Sequence, residues 1–501
     1  RLRRLADNPR TELVVFRSAG AKWTWSQVDE MHNAISRLHR AGKRTAWYGA
    51  SVGTRGYAVA ALCGKIGMPE AGSVQVQGIG VDFVGLADAL TLVGARVDAI
   101  RFEKHKSAPE SFTRRRISKE LKATYRRIIG ARWNHFMKIV SKGRQLSAER
   151  VERVLRDGAV APQAAKAAAL IDAVAEPVVF EKLLRKWNWL AADASLQPLR
   201  PQMHRRTRWG ARPRIAVIVV DGMIVDGRTS KGLSGAQTGG AQTARLLSSL
   251  GAAPNVAGVI LRLNTGGGAV WGSDAMFHAA KGLSRRKPIV ASMASMAASG
   301  GYWTALGADL IFANPSTITG SIGIWIAKPD LSGALRRLQV GVDRVSTGPW
   351  PFVNSLKSGW SPAEQGMIRR SLKRYYDLFL ARVAKRRSLS LSALGPLAGG
   401  RLWLGDSARR HQLVDRTGGF MDAMDYLTGR MNLVQTPQID FFPKLSFSER
   451  VRSLLFGVVS SQIKQIRSLV GPWLDQVAVL AALPKAQPLA IAPIQIESPK
   501  P

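Results

Sequence analysis

One serine followed by two glycines closes the run Lys287-Pro-Ile-Val-Ala-Ser-Met-Ala-Ser-Met-Ala-Ala-Ser299-Gly-Gly-Tyr-Trp303. Small residues let backbone approach a ligand, and a serine where a strand hands over to a helix sits at that helix's N-terminus. The Gly300 N–H is then free to hold a developing oxyanion. Ala297 and Gly301 do not fit the Gly-x-Ser-x-Gly elbow, and the bland alternative is a Gly/Ala-rich turn packed on a helix. A second candidate is Asn264-Thr-Gly-Gly-Gly268. Glycines between a strand and a helix expose backbone N–H groups. A phosphate loop would follow its glycines with Lys-Ser or Lys-Thr, and Ala269-Val270 is not that pair. Together with Gly300, a donor here completes a two-N–H oxyanion hole for acyl transfer.

A nucleophilic serine needs a base. None of the seven histidines (32, 39, 105, 135, 204, 278 and 411) stands in a recognisable triad setting. The remaining choice is a lysine made neutral by burial. Spacing alone does not pick one.

Alternating apolar runs and helical patterns must position these groups. Strands are predicted at 215–220, 257–263, 289–294 and 309–313, and helices near 240–250, 269–285 and 299–306. That alternation implies an α/β fold with mostly parallel strands. A capping box at Ser361-Pro-Ala-Glu364 opens a long helix reaching about Arg387, and its counterpart in the first half is expected to begin around Ser107–Glu110.

The chain has 501 residues, enough for two or more domains. Its 46% hydrophobic and 21% charged residues are a globular composition. A single cysteine, Cys63, excludes an intrachain disulfide framework and a Cys-rich zinc site. The net charge of +39 favours polyanions such as nucleic acid or anionic headgroups, or is a surface bias. No zinc-finger spacing or aromatic-basic RNA motif supports specific nucleic-acid binding. No run of about 20 apolar residues spans a membrane, and no signal peptide follows Arg1, so a lost N-terminal segment is expected.

The same unit is written twice. Leu5-Ala-Asp-Asn-Pro9-Arg-Thr-Glu-Leu-Val-Val-Phe-Arg17 returns as Leu250-Gly-Ala-Ala-Pro254-Asn-Val-Ala-Gly-Val-Ile-Leu-Arg262, an offset of 245. That offset also pairs Met31 with Met276, Gly56-Tyr57 with Gly301-Tyr302, and Val97-Asp98 with Val342-Asp343. Ala169-Leu-Ile-Asp172 echoes Gln412-Leu-Val-Asp415. An internal duplication follows: a copy over 1–199, a basic linker at 200–213, and a copy over 214–442. Subtracting 245 places the counterpart of Ile215–Val220 before residue 1, so the first copy is expected to lack its opening strand. Over 443–501, Ser446-Phe-Ser-Glu449 opens an amphipathic helix carrying Val451, Leu454, Leu455, Val458, Ile463 and Ile466, followed by a Pro-rich tail.

Met296-Ala-Ala-Ser-Gly-Gly-Tyr-Trp303, Asn314-Pro-Ser-Thr-Ile-Thr-Gly-Ser-Ile-Gly323 and Asn264-Thr-Gly-Gly-Gly268 closely resemble the signal peptide peptidase A family. The resemblance is to its long, duplicated bacterial form and covers nearly the whole chain. It implies two ClpP/crotonase-like copies and a Ser–Lys dyad. The serine implied is Ser299, and Lys106-Ser-Ala-Pro-Glu-Ser-Phe112 implies Lys106 as its base. Ser321 is implied as the residue orienting that lysine, with the N–H groups of Gly300 and Gly267 as oxyanion donors. No metal or organic cofactor is implied. The implied substrates are hydrophobic peptides, chiefly cleaved signal peptides, at the outer (periplasmic) face of the bacterial cytoplasmic membrane. A homotetramer is implied too. The family's usual Ser-Pro-Gly-Gly is Thr265-Gly-Gly-Gly268 here, a looser loop.

The repeat gives an independent test. At offset 245, Ser299 falls on Thr54, Gly266–Gly268 on Ala21-Lys-Trp23, and Lys106 on Pro351. Each copy has what the other lacks, which predicts one intact site per pair of copies. The competing expectations are a crotonase-type acyl-CoA enzyme, which needs no Ser–Lys pair, a non-catalytic membrane-associated scaffold, and charge-driven nucleic-acid binding.

Overall fold

A computed structural model describes residues 2–18, 20–156, 158–199, 212–232, 235–433, 437–443 and 489–491. The amphipathic helix expected from Ser446 and most of the 200–213 linker lie outside the described residues.

The chain sorts into two compact units that do not follow the repeat boundary. One holds the residues up to Val81 and those from Tyr125 to the linker; the other holds Asp82–Thr124 and the chain beyond the linker. Residues 82–124, first-copy by sequence, are thus second-unit by packing. The cause is a strand pairing: Arg96–Arg101 runs antiparallel to Trp325–Asp330, from Arg101 opposite Trp325 to Arg96 opposite Asp330.

In the first unit, Leu13–Ser18, Arg44–Gly49, Lys65–Met68 and Ala173–Val174 form a parallel four-stranded sheet in that order. Its core gathers Trp25, Val28, Ile35, Trp47, Tyr57, Ile66, Met68, Phe136 and Val140.

The second unit has two larger sheets. The first runs Leu402–Leu404, Ile318–Gly320, Ile289–Ala298, Val256–Thr265, Arg214–Asp221, Gln438–Phe442. Its central strands are parallel, and their near-continuous Val, Ile and Leu content suits strands covered on both faces. Ile289–Ala298 changes partner midway: Val290–Met293 pair with Leu310–Ala313, whereas Met296–Ala298 pair with Ile318–Gly320. It therefore runs beyond the predicted 294, through small residues that a second neighbour accommodates. The second sheet runs Ser230–Gly232, Gly235–Gly239, Met223–Val225, Gly267–Ala269, Leu489–Ile491, Trp325–Asp330, Arg96–Arg101.

The helix Pro362–Arg387 begins as the sequence predicts, with Ser361 and Glu364 completing a capping box. Its first-copy counterpart starts at Lys119, not at 107–110. The earlier segment forms its own short helix, Glu110–Thr113, in which the buried Glu110 accepts from Arg101 Nη1 at 2.8 Å and from Ser118 Oγ at 3.0 Å, just before the long helix begins.

The duplication extends to side-chain bonding. Tyr57 Oη donates to Leu170 O at 2.8 Å, and Tyr302 Oη donates to Leu413 O at 2.7 Å. The Asp172 carboxylate accepts from Ile66 N and pairs with Arg144, as Asp415 accepts from Ile311 N and pairs with Arg387. The echo of Ala169–Asp172 in Gln412–Asp415 is the same strap tied twice. Ala169 and Gln412 even share a left-handed backbone, at φ 62 and 59.

Candidate active site

Ser299 stands between the strand ending at Ala298 and the helix Gly300–Ala305, at φ 55 and ψ −114. A side chain at positive φ costs about 1–3 kcal/mol and persists where surrounding structure enforces it. Two bonds do so: Ser299 N–H donates to Gly320 O at 2.8 Å, and Trp303 N–H donates to Ser299 O at 2.8 Å. The turn is tight because Gly301 lies against Thr265, whose Cγ2 would be 2.6 Å from a Cβ there.

Lys106 is reached from the strand Arg96–Arg101, whose partner Trp325–Asp330 begins two residues after Gly323. The lysine is fully buried, at 0% exposure, as is Ser299. Its Nζ lies 2.5 Å from Ser299 Oγ, 3.0 Å from Ser321 Oγ and 3.1 Å from Ser321 O. Burial pushes the Lys106 ammonium well below the ordinary lysine value of 10.5. A neutral amine has two N–H donors and one lone pair. In its neutral form this amine would give both N–H bonds to Ser321 O and Oγ and leave its lone pair for the Ser299 hydroxyl. The second acceptor open to that hydroxyl, Gly323 O, is more distant at 3.5 Å.

Ser321 is itself at φ 51, and its N–H donates to Arg401 O at 2.7 Å, which fixes the loop presenting it. Sequence reasoning missed the role of two glycines that admit the lysine. Gly323 would place a Cβ 3.2 Å from Lys106 Cδ, and Gly400, at φ 84, would place one 2.5 Å from Lys106 N and 2.6 Å from its Cα. Gly399, at φ 67, packs on Glu103. The adjacent glycines at 399–400 were the available signal. Gly400→Ala is expected to lower stability by about 2–4 kcal/mol, adding a strained φ to backbone overlap. Urea unfolding measures that loss, and serine labelling should fall with it.

The glycine segment differs from the predicted free loop. Gly267–Ala269 is a short strand, parallel to Met223–Val225 at Gly268 opposite Ile224. Only glycine fits at 268, where a Cβ would meet Ile224 O at 2.0 Å. The Gly267 N–H donates to Thr265 Oγ1 at 3.0 Å, so the residue replacing the family's usual serine occupies this expected oxyanion donor. Gly300, the first residue of its helix, has by position no intrahelical acceptor for its N–H.

The structure therefore brings Ser299, Lys106 and Ser321 together, with Gly300 and Gly267 flanking the serine turn. In the first copy, Thr54 at the serine's position donates to Gly78 O at 3.3 Å.

The model of Peptidase family S49 matches residues 37–183 and 281–433, one segment in each copy. Protease 4 of Haemophilus influenzae is 29% identical over 476 residues, covering 91% of this chain and 76% of that protein. Protease 4 of Salmonella typhi is 31% identical over 402 residues, covering 78% of the chain and 64% of that protein's length. A putative signal peptide peptidase SppA of Enterococcus faecium is 32% identical over 232 residues, covering 46% of the chain and 67% of that protein. The two matched segments agree with two tandem copies of one α/β unit.

Proposed function

The chain belongs to peptidase family S49, and from that premise we propose that it is a serine endopeptidase with Ser299 as nucleophile and Lys106 as general base. The observation that carries this reading is the 2.5 Å approach of a fully buried amine to the serine hydroxyl. Burial keeps the amine uncharged, so its lone pair takes the Ser299 proton as Oγ attacks a peptide carbonyl. The resulting ammonium donates to Ser321 O and Oγ, then returns the proton to the leaving amine. The same amine next deprotonates the water that clears the acyl-enzyme. Gly300 N–H is the first oxyanion donor; Gly267 N–H is the second, once it turns from Thr265 Oγ1.

The substrates are hydrophobic peptides, chiefly signal-peptide remnants, cut at the outer face of the cytoplasmic membrane by a homotetramer. The substrate class draws on the name of the Enterococcus faecium relative, and a charge of +39 suits a surface of anionic headgroups. Among the described residues, no helix is long and apolar enough to cross a membrane.

A fluorophosphonate probe tests the reading. Labelling is expected at Ser299, located by peptide mass spectrometry; labelling elsewhere, or none, overturns it. Ser321→Ala should slow labelling about tenfold, since the backbone carbonyl still holds the amine. It should also move the acid limb of the pH profile to lower pH, because the lost acceptor stabilises the ammonium more than the amine.

A further inference from the structure

Leu489–Ile491 is a three-residue strand far from the site in sequence and next to it in space. It pairs antiparallel with the glycine strand, Ile491 opposite Gly267, Ala490 opposite Gly268 and Leu489 opposite Ala269. Its other side meets Trp325–Asp330, with Leu489 opposite Trp325. Without it the seven-stranded sheet falls into a four-stranded piece ending at Gly267–Ala269 and a two-stranded piece of Trp325–Asp330 and Arg96–Arg101. The segment also lies against Gly300–Ala305, the helix that Ser299 opens.

Both edges it joins lead straight into the site. Gly267 begins one, and Trp325 follows Gly323, whose carbonyl is 3.5 Å from Ser299 Oγ. A strand laid between two edges binds through main-chain groups, which is how an extended peptide is held with little regard to its sequence. The occupant reads Pro488-Leu-Ala-Ile-Ala-Pro493, an apolar stretch with a proline at each end. Ser299 is 0% exposed, and the strand lies against the helix that this serine opens.

We propose that Leu489–Ile491 is a built-in competitor for substrate, filling the slot in which an extended peptide is presented to Ser299. This rests on the peptidase reading above. A tethered segment acts at an effective concentration in the millimolar range, so even weak intrinsic affinity keeps the slot mostly filled. Substrate enters by displacing it, which raises KM and leaves kcat alone.

The full chain carrying Ala490→Pro tests this. Residue 490 is flanked by strand on both sides, so a proline there removes a donor to the ladder. A chain ending at Lys485 serves as the second variant. Each is expected to lower KM for a short apolar peptide about tenfold at unchanged kcat. The synthetic peptide Pro-Leu-Ala-Ile-Ala-Pro should inhibit the shortened chain competitively and bind shortened Ser299→Ala more tightly than full-length Ser299→Ala. Equal KM in all three chains, with no competition by the peptide, overturns the proposal and leaves the peptidase standing. Peptide binding to the Ser299→Ala chain without hydrolysis by the native one would instead sink the peptidase reading alone.

Discussion

Lys106→Met is expected to lower kcat/KM by about four orders of magnitude while leaving the melting temperature unchanged or raised. The catalytic loss follows from removing the base, since Ser299 Oγ has only a carbonyl, Gly323 O at 3.5 Å, as its other acceptor. Stability should hold because the amine is fully buried, and burial alone accounts for its shifted titration. Methionine fills nearly the same volume and carries no polar nitrogen to desolvate. The expense is the Ser321 hydroxyl and carbonyl, which lose a shared donor. Steady-state kinetics and a thermal melt on one preparation check both halves. A variant that keeps a tenth of its activity would remove Lys106 from the chemistry.

The second large effect is on pH. Because the Lys106 ammonium is pushed well below 10.5, kcat/KM should rise with unit slope as pH climbs toward the depressed value and level off above it. Labelling of the free enzyme by the fluorophosphonate should trace the same curve. Stability has the same origin. Between the depressed pKa and the ordinary lysine value the unfolded chain binds a proton that the native chain does not. Native stability therefore climbs with pH across that window by about 1.4 kcal/mol per unit and is flat below it. Lys106→Met lacks this contribution, so its stability advantage should narrow as pH approaches 10.5. Urea titrations at a series of pH values measure the convergence; parallel curves would mean a lysine charged in the native state.

Much of this site was legible, and the unread parts share a cause. Ser299 and its glycines announce themselves because a strand, small residues and a helix start are all local in sequence. The Ser361–Glu364 cap was readable for the same reason, and the repeat exposed Tyr57 and Tyr302 as equivalents before their shared bonding to Leu170 and Leu413 was known. Lys106 was different. Its burial depends on Gly323 and on Gly400, about 290 residues downstream, and only the family resemblance singled it out. The helix onset at Lys119 was misread because 110–113 is a separate short helix, whose Glu110 bonds Arg101 as well as Ser118. Nothing local marks Gly267–Ala269 or Leu489–Ile491 as strands, since each is short and takes its conformation from neighbours distant in sequence.

The two copies also differ in how their backbones bend at the shared serine/threonine position. Ser299 precedes its helix in a left-handed conformation, whereas Thr54 is already the first residue of its own, after Gly53 at φ −84 and ψ 179. The half without the serine also lacks the contorted turn, yet shares the tyrosine and aspartate bonding seen in the other half. The copy that holds Ser299 carries a local strain of about 1–3 kcal/mol at that turn, while the other contributes the buried Lys106 without such a turn at the equivalent position. The duplicated fold thus confines the contorted turn to one copy and draws the buried amine from the other.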